Sequence, residues 1–252
     1  MLLKTKISVV DQDSPEVGAA AEAGKILRNG GIVSFPTETV YALGADAYNA
    51  DTVAKIYRIK RRDRSKPLSV FLKSAEDAQK LVDCVSPQAQ MLMEKFWPGP
   101  LTLVCKCTDS KLSLVLAKSE KLGIRVSPSR LVTRLLDEAG VPITATSANI
   151  SGKKSCVAAN RVFYFFNGRI DMILDGGKSK VFLPSTVLDV CTDEVSLIRL
   201  GHIPLDDIRK VVPNIRIPEA DVSNCDTQDA VEVGTVTQED SDQNEQQAGA
   251  SG

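Results

Sequence analysis

The chain has 252 residues, enough for one large α/β domain or two small ones. Its hydrophobic fraction of 43% is typical of a globular protein and excludes a disordered or fibrous chain. No apolar run reaches the roughly 18–20 residues that a membrane span needs, so no membrane association is expected.

Charge is unevenly distributed along the chain. Residues 218–252 carry nine acidic residues and no Lys or Arg, so residues 1–217 hold 31 basic and 23 acidic groups, a formal charge of +8. A basic body favours phosphate-bearing ligands such as a nucleotide or RNA, although ordinary solvated lysines would give the same total. We expect one folded domain over 1–217 and a disordered acidic tail over 218–252, where hydrophobic periodicity disappears.

The N-terminal residues MLLKTKISVVDQDSPE contain no long apolar core and soon turn acidic, which predicts neither a secretory signal nor an Arg-rich transit peptide. The six cysteines form no C-x-x-C pair and are expected to be reduced structural thiols. A cytoplasmic protein is therefore predicted. His202 is the only histidine, so neither a protein-bound metal nor a histidine-dependent triad is expected.

Strands and helices are predicted to alternate along the first 217 residues. After a strand over 7–10, Ser14 and Pro15 are typical of a helix start and Gly30 of its end. The stretch 127–140 repeats this Ser-Pro start and Gly stop. Further strands are predicted over 31–35, 67–72, 101–107, 122–126, 141–146, 172–175, 185–190 and 195–200, and further helices over 50–62, 74–84, 86–96, 155–167 and 204–211. This alternation predicts an α/β fold with an open, mixed or parallel sheet flanked by helices.

Hydroxyl side chains follow the second predicted strand. In GGIVSFPTETVYALGADA, the strand ends at Pro36 and is followed by Thr37, Thr39 and Tyr41. Loops at strand ends are where open α/β sheets bind ligands. By themselves, these residues also fit a strand and turn in which the threonines are incidental.

Residues 60–66 crowd five cations together. Like charges this close repel each other unless solvent or an anion relieves them. Arg offers a planar fork for phosphate oxygens and Lys a point charge, so the cluster predicts a phosphate contact, with a solvated basic face as the alternative. Its members are Lys60, Arg61, Arg62, Arg64 and Lys66.

Two later segments place polar groups beside predicted strands. Ser147 and Asn149 supply neutral donors and acceptors next to Gly152, without the glycine spacing of a P-loop. Arg125 and Arg199 lie inside apolar strands, where a buried cation needs an anionic partner. A bound anion and a structural salt bridge both satisfy that need.

The order of these segments resembles the YrdC family. The resemblance is carried by GGIVSFPTETVYALG, by Lys60-x-Arg62 followed by KPL, and by FWPGPLT, LGIRVSP, TSANISG, PSTVLD and IRLG, over roughly residues 12–205. Each segment is weak alone, but the ordered set is specific. It implies a YrdC-like twisted sheet with a large, positively charged concave face.

The resemblance also implies an activity. Members of the family condense L-threonine, bicarbonate or CO₂, and ATP to threonylcarbamoyl-AMP and pyrophosphate. The product supplies the threonylcarbamoyl group for adenosine 37 of tRNAs that read codons beginning with A. Mg²⁺ is expected to accompany ATP, and contact with tRNA and with the downstream threonylcarbamoyl-transferase machinery is expected as well.

The family's motif residues carry over to this chain position by position. Lys60 and Arg62 are implied as catalytic residues. Thr39, Arg125 and Ser185 are implied to bind threonine, and Phe71 stands where many relatives have a histidine in that pocket. The longer relatives carry a second C-terminal domain where this chain has its acidic tail. The implied ATP-binding residues are Lys60, Arg62, Lys66, Lys121, Ser147, Asn149, Ser155 and Arg199.

Three other functions are compatible with parts of the sequence. A basic concave surface could belong to an RNA-binding module without catalysis. YrdC-like domains also occur in carbamoyl-transfer maturases, but those carry zinc-finger and acylphosphatase-like segments that this chain lacks. A regulatory subunit is disfavoured because all the motif residues are present.

Overall fold

Within residues 4–218, the part of the chain that this computed structural model describes, eleven strands divide between two mixed sheets. The first sheet has the order β1 (Lys6–Val9), β9 (Met172–Asp175), β2 (Val33–Phe35), β3 (Ala42–Gly44) and β8 (Thr146–Ser147). The second has the order β11 (Ser196–Arg199), β10 (Thr186–Asp189), β5 (Leu101–Lys106), β6 (Lys121–Val126), β4 (Ser69–Leu72) and β7 (Ile143–Thr144). Parallel and antiparallel pairs occur in both.

Helices flank these sheets, which confirms the predicted α/β class. In the first sheet β1, β9 and β2 run parallel, and in the second β4 and β6 are a parallel pair. No helix among residues 4–218 is both long and apolar enough to cross a bilayer. The helices are α1 (Val17–Arg28), α2 (Ala50–Lys60), α3 (Pro87–Phe96), α4 (Ser113–Leu116), α5 (Arg130–Ala139), α6 (Ala159–Phe166) and α7 (Leu205–Arg209).

Residues up to Pro218 group into one compact unit. The acidic segment 219–252 lies outside the described residues, and so does the prediction that this tail is disordered. The division at 217 therefore stays a prediction.

The strand predicted over 141–146 is divided between the two sheets. Its first half, β7, pairs with β4, and its continuation β8 pairs with β3. Between them, Ala145 donates a hydrogen bond to the carbonyl of Ser69 at 2.6 Å. The apolar run carries no turn signal, so the crossing from one sheet to the other depends on tertiary pairing.

Helix boundaries were predicted with mixed success. Helix α5 begins after Ser129, whose hydroxyl accepts from the backbone N–H of Val132, and ends at Gly140 with φ of 65°. The predicted Ser14 cap of α1 is wrong, because the helix begins at Val17 after Glu16, and Ser14 lies in a preceding turn where Asp11 accepts its backbone N–H. Of the helix predicted over 74–84, only a 3₁₀ turn over Glu76–Lys80 forms.

The second sheet presents two different faces. Alternate residues point to opposite sides of a strand. On one side Leu103, Ile124 and Leu188 are fully buried in the main core, and each such side chain contributes about 1.5–3 kcal/mol on burial. The residues between them face the other way, and that face carries the candidate site.

Candidate functional site

A cavity of about 730 Å³ lies over this second face. Its floor is formed by every second residue of four adjacent strands, β4, β5, β6 and β10. These residues alternate with the core positions, so their side chains lie on the opposite face of the sheet. Cavities of this size are typical of small-molecule sites. The floor residues are Ser69, Phe71, Thr102, Val104, Lys121, Gly123, Arg125, Val187 and Asp189.

Loops after the strands and helices form the walls. They are the segment after β2, the segment after α2, the crossing from β7 to β8, and the residues before β10. Eight of the eleven residues predicted from sequence line the cavity. These are Thr39, Arg62, Lys66, Lys121, Arg125, Ser147, Ser185 and Arg199.

Two guanidinium groups in the cavity bind carbonyl oxygens rather than acids. Arg62 donates to the carbonyls of Lys66 and Pro67 at 3.1 and 2.7 Å, and Arg199 donates to the carbonyl of Ser185 at 2.8 Å. Among residues 4–218 neither forms a salt bridge. Desolvation lowers the pKa of both, and Arg125 and Arg62 lower that of Arg199 further. An anionic ligand would relieve this repulsion.

A lysine–carboxylate pair lies at the start of β6. Lys121 donates to Asp189 at 2.7 Å, and this bond raises the pKa of Lys121. Burial would raise the pKa of Asp189, but the same bond and the backbone N–H of Cys191 together lower it. Lys121 therefore lines the cavity with its charge already neutralised.

The other end of β6 carries a nearly buried ion pair. Arg125 and Glu38 have side-chain exposures of 7% and 13%, and the Arg125 Nη2 donates to the Glu38 Oε1. The same nitrogen donates to the Thr39 hydroxyl at 3.2 Å, and Nε donates to the Gly99 carbonyl at 3.2 Å. The guanidinium lies 5.9 Å from the ring centre of Phe71. The orientation of the Arg125 side chain is therefore determined by an ion pair, two further hydrogen bonds and an aromatic ring.

Hydroxyl groups complete this end of the cavity. The hydroxyls of Thr37 and Thr39 lie 2.8 Å apart, and those of Ser185 and Thr102 lie 2.9 Å apart. Phe71, in the position where relatives were expected to have histidine, packs against Phe35 at 6.0 Å between ring centres. An aromatic ring therefore lies beside these hydroxyls.

Three predicted residues do not line the cavity: Lys60, Asn149 and Ser155. Lys60 is 2% exposed, and its Nζ donates to the carbonyls of Ser147 and Asn149, the latter at 2.8 Å. The Asn149 amide donates to the carbonyl of Lys153 at 2.6 Å. Lys60 and Asn149 therefore support the wall loop that carries Ser147, and the expected direct ligand contact of these residues is not what this geometry provides.

Burial shifts the titration of Lys60. Desolvation, and secondarily the charge of Arg62, lowers its pKa to about 7, whereas the unfolded value is about 10.4. Below pH 7 both states hold the proton and the folded state carries the full desolvation cost. Between pH 7 and 10.4 the unfolded state binds more protons, so stability rises with pH.

We therefore expect the free energy of unfolding of the wild type, relative to Lys60→Met, to rise by about 2 kcal/mol from pH 6 to pH 9. Urea denaturation at several pH values measures this difference. Lys25→Met, an exposed lysine of α1, is the matched control for loss of a lysine side chain. A pH-independent difference for Lys60→Met would contradict the expectation.

Sequence reasoning missed two carboxylates of this region. Glu38 stands between Thr37 and Thr39, and it could have been found by asking which acid neutralises Arg125. Asp189 sits in an apolar strand, where a carboxylate is unusual enough to signal a partner. Among residues 4–218, no group of three or more His, Cys, Asp or Glu could hold a metal ion.

Fold and site together define an α/β protein with a cationic ligand cavity. The family model Sua5_yciO_yrdC, described as "Telomere recombination", matches residues 25–201. The chain therefore belongs to the Sua5/YciO/YrdC family, as its motifs predicted.

Curated relatives carry one shared name, threonylcarbamoyl-AMP synthase. The protein of Bacillus subtilis is 40% identical over 219 residues, covering 85% of this chain and 63% of the relative. That of Pyrococcus abyssi is 37% identical, covering 79% and 58%. The chain thus spans about 60% of the length of these two relatives. A shorter relative from Vibrio vulnificus is 34% identical and is covered over 95% of its length.

Solved structures agree with the fold. A structure described as P. abyssi Sua5 complexed with L-threonine superposes with a TM-score of 0.81 at 36% identity, covering 85% of this chain and 63% of that one. Escherichia coli YciO superposes with a TM-score of 0.74, covering 81% of this chain and 99% of that one. At 23% identity, YciO supports the fold alone.

Proposed function

We propose that this chain is an L-threonylcarbamoyladenylate synthase, a nucleotidyltransferase, with residues 1–217 as its catalytic domain. It condenses L-threonine, bicarbonate or CO₂, and ATP to threonylcarbamoyl-AMP and pyrophosphate. The observation that carries the proposal is a single cavity lined by two guanidinium groups without acid partners, Arg62 and Arg199, and by a clamped Arg125. The shared name of its relatives supports the same reaction.

The proposed reaction needs no covalent enzyme intermediate. The neutral amine of threonine attacks CO₂ and loses a proton, which gives a carbamate. A carbamate oxygen then attacks the α-phosphorus of ATP, and the bond to the β-phosphate oxygen breaks to release pyrophosphate. Negative charge shifts among phosphate oxygens throughout, so fixed cations supply most of the stabilisation.

We assign the ATP phosphates to Arg62 and Arg199. Each guanidinium keeps N–H groups beyond those given to carbonyls, since Arg has five donors. Lys66 adds a point charge, Ser147 adds a hydroxyl whose hydrogen is donated to Asn149, and Lys121 lies at the edge of the same cavity. Arg62 is the catalytic residue in this proposal, because it lines the cavity, whereas Lys60 and Asn149 act as positioning residues.

We assign threonine to the opposite end of β6. There Arg125 holds the carboxylate and the hydroxyl of Thr39 lies beside it, while the hydroxyl of Ser185 lies on Thr102 of the adjacent strand. The P. abyssi structure described with L-threonine supports a threonine site in this family. The ring of Phe71 offers a surface for the substrate's methyl group.

Mg²⁺ enters as part of the ATP substrate. Asp189 is the one carboxylate on the cavity floor, and its bond to Lys121 makes it a poor metal ligand.

We place the enzyme in the cytoplasm, since cysteines with free thiols such as Cys105 and Cys107 suit a reducing compartment. Its product goes to a threonylcarbamoyl-transferase system that modifies adenosine 37 of tRNA, and tRNA itself is a further proposed contact.

The direct test is incubation with ATP, bicarbonate and each amino acid in turn. We expect pyrophosphate release that requires threonine and bicarbonate. An RNA-binding module would instead show salt-dependent RNA affinity without ATP turnover. A carbamoyl-transfer enzyme would consume carbamoyl phosphate and be indifferent to threonine. Either result would refute the proposed synthase.

A further inference from the structure

Glu38 has no part in the proposed reaction, although its carboxylate is the counter-charge of Arg125 at the threonine end. Thr37 and Thr39 line the cavity, and Glu38 between them points behind its wall. There it lines a separate cavity of about 430 Å³, together with Asp13, Arg130 and other polar residues. Glu38 is therefore placed to act on the site without occupying it.

Both carboxylate oxygens of Glu38 are engaged. The Oε1 accepts from Nη2 of Arg125, and the Oε2 accepts from the Ser127 hydroxyl at 2.6 Å. Its backbone carbonyl also accepts from Val181 at 2.9 Å. A carboxylate fixed at both oxygens is a rigid support, because reorienting it would break both bonds in a nearly buried site.

This support determines which donors Arg125 presents. Nε is given to the Gly99 carbonyl, and the two hydrogens of Nη2 go to Glu38 and Thr39. Because a guanidinium has five N–H groups in a planar fork, the two of Nη1 remain. Arg125 lines the main cavity, so this nitrogen is the one left to meet a ligand.

Glu38 also changes the charge of the threonine end, because it neutralises Arg125. Arg125 is close enough to Arg199 to lower its pKa, so three guanidinium groups, those of Arg62, Arg125 and Arg199, share one electrostatic environment. Glu38 cancels the charge of one of them. Without it, the threonine end would carry one more uncompensated positive charge, which attracts phosphate.

We infer that Glu38 is a positioning and selectivity residue for the proposed synthase. Its carboxylate holds Arg125 with Nη1 turned toward the cavity. By neutralising that guanidinium, it makes the threonine end accept the single carboxylate of a zwitterionic amino acid in preference to phosphate. The inference rests on the proposed function and adds to it a residue that does not touch the substrate.

The test uses binding rather than turnover. Threonine affinity is measured by calorimetry on the full chain, with a non-hydrolysable ATP analogue present to occupy the ATP end. Inorganic phosphate is then the competitor. We expect Glu38→Ala to weaken threonine binding about tenfold or more, because Arg125 loses its support. We expect Glu38→Gln, which keeps the shape but not the charge, to raise phosphate affinity relative to threonine affinity about tenfold.

Glu138→Gln is the matched control. Glu138 pairs with Arg134 at 2.8 Å on α5, so the Glu138→Gln substitution makes the same chemical change in an ion pair away from the cavity. A merely structural role of Glu38 would lower thermal stability without changing the phosphate-to-threonine ratio, and an unchanged ratio in Glu38→Gln would overturn the inference. A wild type that binds no threonine would instead refute the proposed function, so the two failures are distinguishable.

Discussion

Arg62→Ala is expected to lower kcat/KM for threonine-dependent pyrophosphate release by about 10²–10³-fold while the fold is retained. Arg62 gives Nε and Nη2 to carbonyls of its own loop and lines the cavity without an acid partner. The charge that develops on phosphate oxygens therefore loses one of its fixed counter-charges.

A neighbouring arginine provides the control for this variant. Arg61 is exposed and does not line the cavity, so Arg61→Ala removes the same side chain one position away. Arg62→Lys keeps the charge but has three donors instead of five, and we expect it to recover only part of the activity. Full activity of Arg62→Ala, with the circular dichroism spectrum of the wild type, would remove Arg62 from the catalytic role.

Arg125→Gln is expected to have two separable effects. Threonine binding should be lost, because the carboxylate-binding guanidinium is gone, while ATP-analogue binding should persist. Stability should fall by about 3–5 kcal/mol, because Glu38 is left as an uncompensated and nearly buried carboxylate. Calorimetry with each ligand and urea denaturation measure the two effects.

The double variant Arg125→Gln with Glu38→Gln separates fold from function. Removing both charges removes the uncompensated carboxylate, so much of the lost stability should return. Threonine binding should not return. Recovery of threonine binding in the double variant would show that Arg125 does not hold the substrate, and equal instability of the single and double variants would show that the ion pair is not the cause.

The strands of the second sheet were predicted from sequence because their signals are local. Segments such as LTLVCKC and LGIRV are short, apolar and bounded by turn residues, and β5 and β6 form there. Their alternation also determines that one face is apolar and that the other carries Thr102 and Arg125. Strand β3, at three residues, carries too little pattern to be predicted.

The sequence also determined most of the site's membership, since eight predicted residues line one cavity although they come from distant parts of the chain. The resemblance to the YrdC family supplied the roles of these residues, and Lys121 was named from that resemblance alone. What the sequence could not decide is which partner each one meets. A one-dimensional pattern carries no distances.

Only the tertiary structure decided that Lys60 supports a wall loop while Arg62, two residues on, faces the cavity. Helix α2 ends at Lys60, and Arg61 in the left-handed conformation turns the chain between them. Likewise, only the folded chain brings Glu38 to Arg125, 87 residues away. Composition and local pattern thus determined the class and its chemical groups, whereas the pairing of charges depended on long-range contacts that form when the two sheets pack.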